Sequence, residues 1–214
     1  MNTNRNAGYA IFAGTLAGLV TMILHPTGHD VIRNASAGMA NTLNSSVHLL
    51  AIFAQPLILS GSLGITVRIR ERRDLAAGAF IFFALASVAV IVAAIASGLL
   101  APASVRGMDA ADEVRRAAMH ADLRYTGLIN QAFAKVYVLF TGAAIFLWSV
   151  AIAKGREMSR GLAVYGIILG AILVVAIAVD VLPLDIHGFG AVMLGTGVWF
   201  VWAGIGLVRA RDIR

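Results

Sequence analysis

Six long apolar stretches divide this chain, and they limit its fold more than any other feature. They cover about residues 7–25, 47–67, 75–101, 128–153, 161–181 and 188–208. A helix of about 20 apolar residues crosses the roughly 30 Å hydrocarbon core of a bilayer. The stretches are too long and too uniformly apolar for the strands of a membrane barrel. The sequence therefore predicts an all-α polytopic membrane helix bundle of six transmembrane helices, forming a single domain over residues 1–214.

The composition agrees with this class. Charged residues make up 13% of the chain and hydrophobic residues 59%, and the mean hydropathy is +0.84. A soluble domain carries about 25% charged residues. Cysteine is absent, which excludes disulfides, thiolate metal ligands and a cysteine nucleophile. Ala35-Ser36-Ala37 has the small-residue pattern of a signal-peptide cleavage site, but it lies about ten residues past the first stretch, so we interpret that stretch as a membrane helix.

Basic residues collect on one side of the predicted membrane. Eleven of the 17 Lys and Arg residues fall in short segments that the six spans place on the same side: Arg5, Arg68, Arg70, Arg72, Arg73, Lys154, Arg156, Arg160, Arg209, Arg211 and Arg214. The positive-inside rule predicts that this side and both termini are cytoplasmic, in the inner membrane of a bacterium. Because the basic residues are spread over several rims, the net charge of +6 indicates contact with lipid headgroups, not with nucleic acid.

The longest segment outside the spans lies on the opposite side, between the third and fourth spans. Residues 108–124 lack Gly and Pro, and their acidic and basic residues nearly balance. This pattern predicts an outer interfacial helix. Small-residue pairs such as Gly14-x-x-x-Gly18 and Gly166-x-x-x-Gly170 predict close helix packing, either inside the bundle or between copies of the chain.

All five histidines fall on the side opposite the basic rims. With one acid they form a set of candidate metal ligands: His25, His29, His48, Asp180 and His187. Counted at about 1.5 Å per residue along their helices, all of these except His29 share one depth near the outer interface. We expect them to converge if the hairpin of the first two spans packs against the hairpin of the last two.

Several chemistries fit this set. Neutral imidazoles with a carboxylate bind zinc, copper or non-haem iron. A haem b held by His25, His48 or His187 is a second option, with Arg33 or Arg124 pairing with its propionates. Proton transfer without a cofactor is a third. The competing interpretation has no cofactor, with the histidines anchoring helix ends at the interface.

Five more polar residues are candidates for the surroundings of this site: Asp30, Gln55, Asn130, Lys135 and Asp185. Asp185 either accepts a ring proton of His187 or caps the sixth helix. Gln55 precedes Pro56, whose kink would open a pocket; alternatively Gln55 bonds a neighbouring helix. Lys135 either extends to the outer interface or pairs with Asp180.

The sequence lacks the nucleotide-binding glycine fingerprints and the nucleophile elbow of hydrolases. The leading hypothesis is a metal or haem site near the periplasmic interface that acts on a lipophilic substrate or in redox chemistry. Whether the protein is an enzyme stays open. The alternatives are a small-solute or lipid carrier or channel, lined by Gln55 and the polar residues of the fourth span, and a non-catalytic membrane assembly subunit.

Overall fold

The computed structural model describes residues 3–26, 38–155 and 157–210, and within these ranges the secondary structure is entirely helical. In chain order the helices are α1 Thr3–Ile23, α2 Gly38–Arg68, α3 Arg73–Ile95, α4 Ala101–Val105, α5 Glu113–Lys154, α6 Arg160–Ala178 and α7 Ile186–Arg209. A π-helical turn, Ala96–Leu100, joins α3 to α4, and a 3-10 turn, Met108–Ala110, precedes α5. With α3 and α4 counted together, six helices in this part of the chain are long and apolar enough to cross a membrane.

The segment predicted as a separate interfacial helix is instead mostly the beginning of α5. Asp112 caps this helix, because its Oδ1 accepts a hydrogen bond from the backbone N–H of Arg115 at 2.8 Å. No proline interrupts the 42 residues that follow, so the helix runs unbroken into the fourth span. At 1.5 Å per residue it is about 63 Å long, and its first three turns are largely exposed.

The spanning helices pack side by side in chain order around a ring. α1 packs on α2, α2 on α3, α3 on α5 and α5 on α6, and α7 closes the ring against α1. Glycines allow the closest approaches. A Cβ at Gly14 would lie 3.0 Å from the Ala54 carbonyl oxygen, and one at Gly170 would lie 2.6 Å from the Gly142 carbonyl oxygen. The glycine pairs noted in the sequence therefore serve packing inside the bundle.

The bundle has two different ends. We call the end that holds the start of α1 and the loop between α2 and α3 the basic end. The histidine end holds the end of α1, the start of α2 and the turn from α6 to α7. Towards the basic end the centre is filled by aromatic side chains, with Trp148 stacked on Trp199 at a centroid distance of 5.7 Å. Trp199 Nε1 donates to Ser149 Oγ and Trp148 Nε1 to Thr66 Oγ1, each at 3.1 Å, so this layer is closed and its polar atoms are paired.

Candidate functional site

Two histidines meet at the histidine end. His25 follows the last turn of α1, and His48 lies on α2 with only 6% of its surface exposed. Their Nε2 atoms are 3.3 Å apart. The rings are arranged edge to face, with centroids 4.8 Å apart and an interplanar angle of 67°. Two of the predicted metal ligands are thus in direct contact.

The other nitrogen of each ring faces a backbone carbonyl. His48 Nδ1 lies 2.7 Å from the Asn44 carbonyl oxygen, and His25 Nδ1 lies 2.8 Å from that of Pro26. A carbonyl only accepts hydrogen bonds, so both Nδ1 atoms carry the proton and donate. In the neutral rings both Nε2 atoms are then acceptors, and they lie 3.3 Å apart. A cation or an extra proton between the two nitrogens would relieve the repulsion of their lone pairs.

A network of short hydrogen bonds holds His48 in place. Asn44 Nδ2 donates to the Ser97 carbonyl at 2.8 Å, and Ser45 Oγ donates to the Gly98 carbonyl at 2.7 Å. Both carbonyls belong to the π turn after α3, where the wider helical ring leaves them available to α2. The backbone of Gly98 passes directly beside the His48 side chain. The π turn therefore fixes the part of α2 that carries His48 and its carbonyl partner.

The histidine pair forms part of the wall of a cavity of about 650 Å³ inside the ring. Its lining comes from α1, α2, α3, α5 and the start of α7. The exposed Asp185 and His187 lie at its rim, so it opens at the histidine end. Towards the basic end the lining stops at Ala51 on α2, and the aromatic core follows. Within the described residues the cavity is a pocket with a closed floor.

Asp185 and His187 line this cavity without touching the histidine pair. Asp185 Oδ1 accepts from the backbone N–H groups of His187 at 3.0 Å and Gly188 at 2.8 Å. The carboxylate is thus the N-cap of α7, which is the capping alternative raised by the sequence. His187 is exposed at the cavity rim.

Asp180 does not join the histidines. Its carboxylate pairs with Lys135 Nζ at 2.5 Å; the Asp180 side chain is largely exposed and that of Lys135 partly so. The physical reason is the packing of the last hairpin. α6 packs mainly on α5, which carries Lys135, whereas α7 packs on α1. The short turn between α6 and α7 therefore connects helices that have little contact with each other.

The remaining predicted residues have mixed outcomes. Asn130 lines the cavity and donates from Nδ2 to the Ala93 carbonyl at 3.0 Å. Gln55 is buried one turn below the lining, where its Oε1 has no hydrogen-bond partner among the described residues. His29, Asp30 and Arg33 lie outside the described residues. Arg124 is exposed on α5.

The full set of metal ligands expected from the sequence is not assembled by the described part of the chain. Within residues 3–26, 38–155 and 157–210, no three His, Asp or Glu side chains are close enough to hold one metal ion. Of the predicted ligands in these ranges, only His25 and His48 are in contact with each other.

Sequence reasoning missed the residues that position the pair. Asn44, Ser97 and Gly98 form the network behind His48, and Thr21 Oγ1 ties α1 to α2 by donating to the Val47 carbonyl at 3.2 Å. One signal was present in the sequence, since Asn44 precedes His48 by one helical turn. No comparable sequence pattern in the apolar third span predicts the π turn.

No family model, no curated protein and no solved structure matches this chain.

Proposed function

We propose that this chain is a membrane metalloprotein that binds one metal ion between His25 and His48, at the wall of a ligand cavity. We place it in the inner membrane of a bacterium, with both termini cytoplasmic and the histidine end periplasmic. The many large apolar side chains on the outside of the ring support a lipid environment, among them Phe53, Ile168 and Leu194. The basic loop after α2 supports the orientation.

One observation carries the metal proposal: the Nε2 atoms of His25 and His48 lie 3.3 Å apart, while the Nδ1 atom of each ring contacts a backbone carbonyl. Two ligands that are each about 2.0–2.1 Å from a tetrahedral ion lie about 3.3–3.4 Å from one another. The spacing therefore suits two neighbouring positions of a tetrahedral site. Metal-bound histidines usually donate their second N–H to a carbonyl or carboxylate, as both rings do here.

The same spacing favours a single ion over haem b. A haem iron with two axial histidines holds their nitrogens on opposite sides, about 4 Å apart, with the macrocycle between the rings. Here the rings are in edge contact, which leaves no slot between them. Zinc, copper and iron all accept imidazole nitrogen. The other coordination positions would be filled by water, by a ligand in the cavity or by a further side chain such as that of His187.

The closed floor of the cavity favours a binding or catalytic site over a channel. A conducting path would continue past Gln55 towards the basic end, where Trp148, Trp199 and Phe83 fill the centre of the ring. A metal ion at the wall of such a pocket is suited to polarising a bound oxygen or activating water, or to redox chemistry if the ion is copper or iron.

The test is metal analysis of protein purified in detergent without chelators, followed by titration of the metal-free protein with Zn²⁺ and Co²⁺. We expect one ion per chain and the visible Co²⁺ spectrum of a tetrahedral site. His25→Ala and His48→Ala should each weaken binding by more than the 10–100-fold that loss of an outer hydrogen-bond partner costs. The matched control is His120→Ala, on the exposed first part of α5.

Two outcomes would contradict the proposal. One is the absence of stoichiometric metal together with no saturable Zn²⁺ or Co²⁺ binding. The other is equal binding by the wild type and the double variant of His25 and His48. Either result would leave the histidines with a structural role and would favour the assembly subunit.

A further inference from the structure

The polar groups in the cavity wall are almost all uncharged. Among the described residues that line it there is no Lys or Arg. The carboxylate of Asp185 is engaged with the first backbone N–H groups of α7. In the metal-free protein an anionic headgroup would therefore lose its hydration here without gaining a cationic side chain, and a cationic headgroup would compete with the N-terminus of α7 for Asp185. Without a metal ion, the side chains of the wall favour an uncharged guest.

The rest of the wall is apolar and suits hydrocarbon. Met22, Val90, Ala93, Ala134 and Phe189 contribute to it from four different helices. The volume of about 650 Å³ lies within the usual range of about 300–1,000 Å³ for pockets that take one small ligand. One alkyl chain or a small ring system fits this volume. A two-chain phospholipid fits neither its size nor its neutral lining.

Neutral hydrogen-bonding groups on α5 complete the wall. Asn130 Nδ2 donates to the Ala93 carbonyl, and Gln131 Nε2 donates to the Leu184 carbonyl at 3.2 Å. Each amide uses one N–H in this way and retains a second N–H and a carbonyl oxygen for a guest. The histidine pair lies just after α1 and on α2, a different side of the ring from α5. An oxygen on the guest thus finds donors on one side and the proposed metal on the other.

We propose that the cavity binds a neutral lipophile with one chain or one small ring system and a hydroxyl or carbonyl oxygen. The oxygen is directed towards His25 and His48. This inference rests on the proposed function in one respect, because the metal ion would coordinate that oxygen. The size and the apolar lining of the cavity do not depend on the metal, and the lack of charge in its wall describes the metal-free protein.

The test compares three probes with the same chain and different heads: 1-octanol, octanoate and octylamine. Each radiolabelled probe is equilibrated at pH 7 with the metal-free protein in lipid nanodiscs, and binding to empty nanodiscs is subtracted. We expect saturable binding of one octanol per chain. Octanoate and octylamine should bind at least about tenfold more weakly, since without the metal ion each carries a charge into a wall that offers it no free counter-charge.

Variants assign the binding to the cavity. Ala93→Trp fills it from α3 and should reduce octanol affinity at least about tenfold. Ile81→Trp is the control, because Ile81 is on the same helix and 60% exposed on the outside of the ring. Thermal melting checks that both variants fold. If Ala93→Trp is unfolded, Ala134→Leu on α5 carries the same expectation.

The outcomes separate this inference from the metal proposal. Saturable octanol binding that is lost in the filled variant supports the ligand class, and if it persists in protein that binds no metal, only the metal proposal fails. Stoichiometric metal without saturable octanol binding overturns the ligand class and leaves the metal proposal intact. Octanoate or octylamine binding as tight as octanol, or full binding by the filled variant, also overturns the ligand class.

Discussion

Gly98 on the π turn and His48 on α2 pack so closely that a Cβ atom at position 98 would overlap the Cβ and the ring of His48. This contact joins the irregular end of α3 to one half of the histidine pair. The position of His48 therefore depends on a residue that has no side chain of its own.

Substitution Gly98→Ala should displace His48. We expect Zn²⁺ affinity to fall by about 10–100-fold, as when a metal ligand loses its outer hydrogen-bond partner. The free energy of unfolding should fall by about 1–3 kcal/mol because the added methyl group overpacks the contact. Gly78→Ala on α3 is the matched control, because a Cβ there meets nothing within 4 Å. Zn²⁺ titration and thermal melting measure both effects. Unchanged affinity in a folded Gly98→Ala protein would remove the π turn from the support of the site.

Asn44 should contribute to stability through its side chain and to metal binding through its backbone carbonyl. Asn44→Ala leaves the Ser97 carbonyl without its amide donor, and a buried group that loses its partner costs about 1–3 kcal/mol. The Asn44 carbonyl contacts His48 Nδ1, and without the amide the π turn no longer holds this part of α2. Metal affinity should therefore fall as well. The control is Ser46→Ala, since Ser46 Oγ bonds only within α2, to the Thr42 carbonyl. Equal melting temperatures for the two variants would disprove the role of Asn44.

Lys135→Met should leave metal binding unchanged, although Asp180 belongs to the set of ligands that the sequence suggests. The side chains of Lys135 and Asp180 are 43% and 73% exposed, and exposed ion pairs contribute about 0.2–1 kcal/mol. We therefore expect a small change in unfolding free energy and full metal stoichiometry, measured by denaturation and elemental analysis. Loss of metal in Lys135→Met or in Asp180→Asn would show that this pair reaches the site after all.

Asp185→Ala should cost about 0.5–2 kcal/mol through the lost N-cap of α7, and Asp185→Ser should restore most of that stability. Thermal melting of the two variants gives the comparison. Because the carboxylate serves the helix end, we expect metal stoichiometry to stay at the wild-type value in both. A metal loss in Asp185→Ser with normal melting would indicate that the carboxylate acts on the site and not on the helix.

The fold could be predicted because its main determinant is local. An apolar run of about 20 residues has few structures open to it other than a spanning helix, and six such helices are present in the described residues. The bounds of α5 were less predictable. The Asp112 cap and the lack of a helix-breaking residue join the segment after 112 to the fourth span, whereas the charge pattern alone suggested a separate element.

The site was predictable only in part, because it depends on which helices become neighbours. Depth along each helix correctly brought His25 and His48 together, since α1 and α2 form a tightly packed hairpin. The same reasoning failed for Asp180. A short turn between α6 and α7 suggested close packing, yet α6 packs on α5 and presents Asp180 to Lys135. Lateral neighbours of this kind are set by side-chain shape along whole helices, which a hydropathy pattern does not record.

The unbroken course of α5 has a practical consequence for imaging. A protein of 22.5 kDa gives few features for aligning single particles. The exposed first turns of α5, beginning at Glu113, continue without a joint into the core of the bundle. A rigid helical domain inserted into the chain before Glu113 as a continuation of α5 would therefore keep a fixed orientation relative to the histidine pair. Such an insertion would provide a marker large enough for electron microscopy.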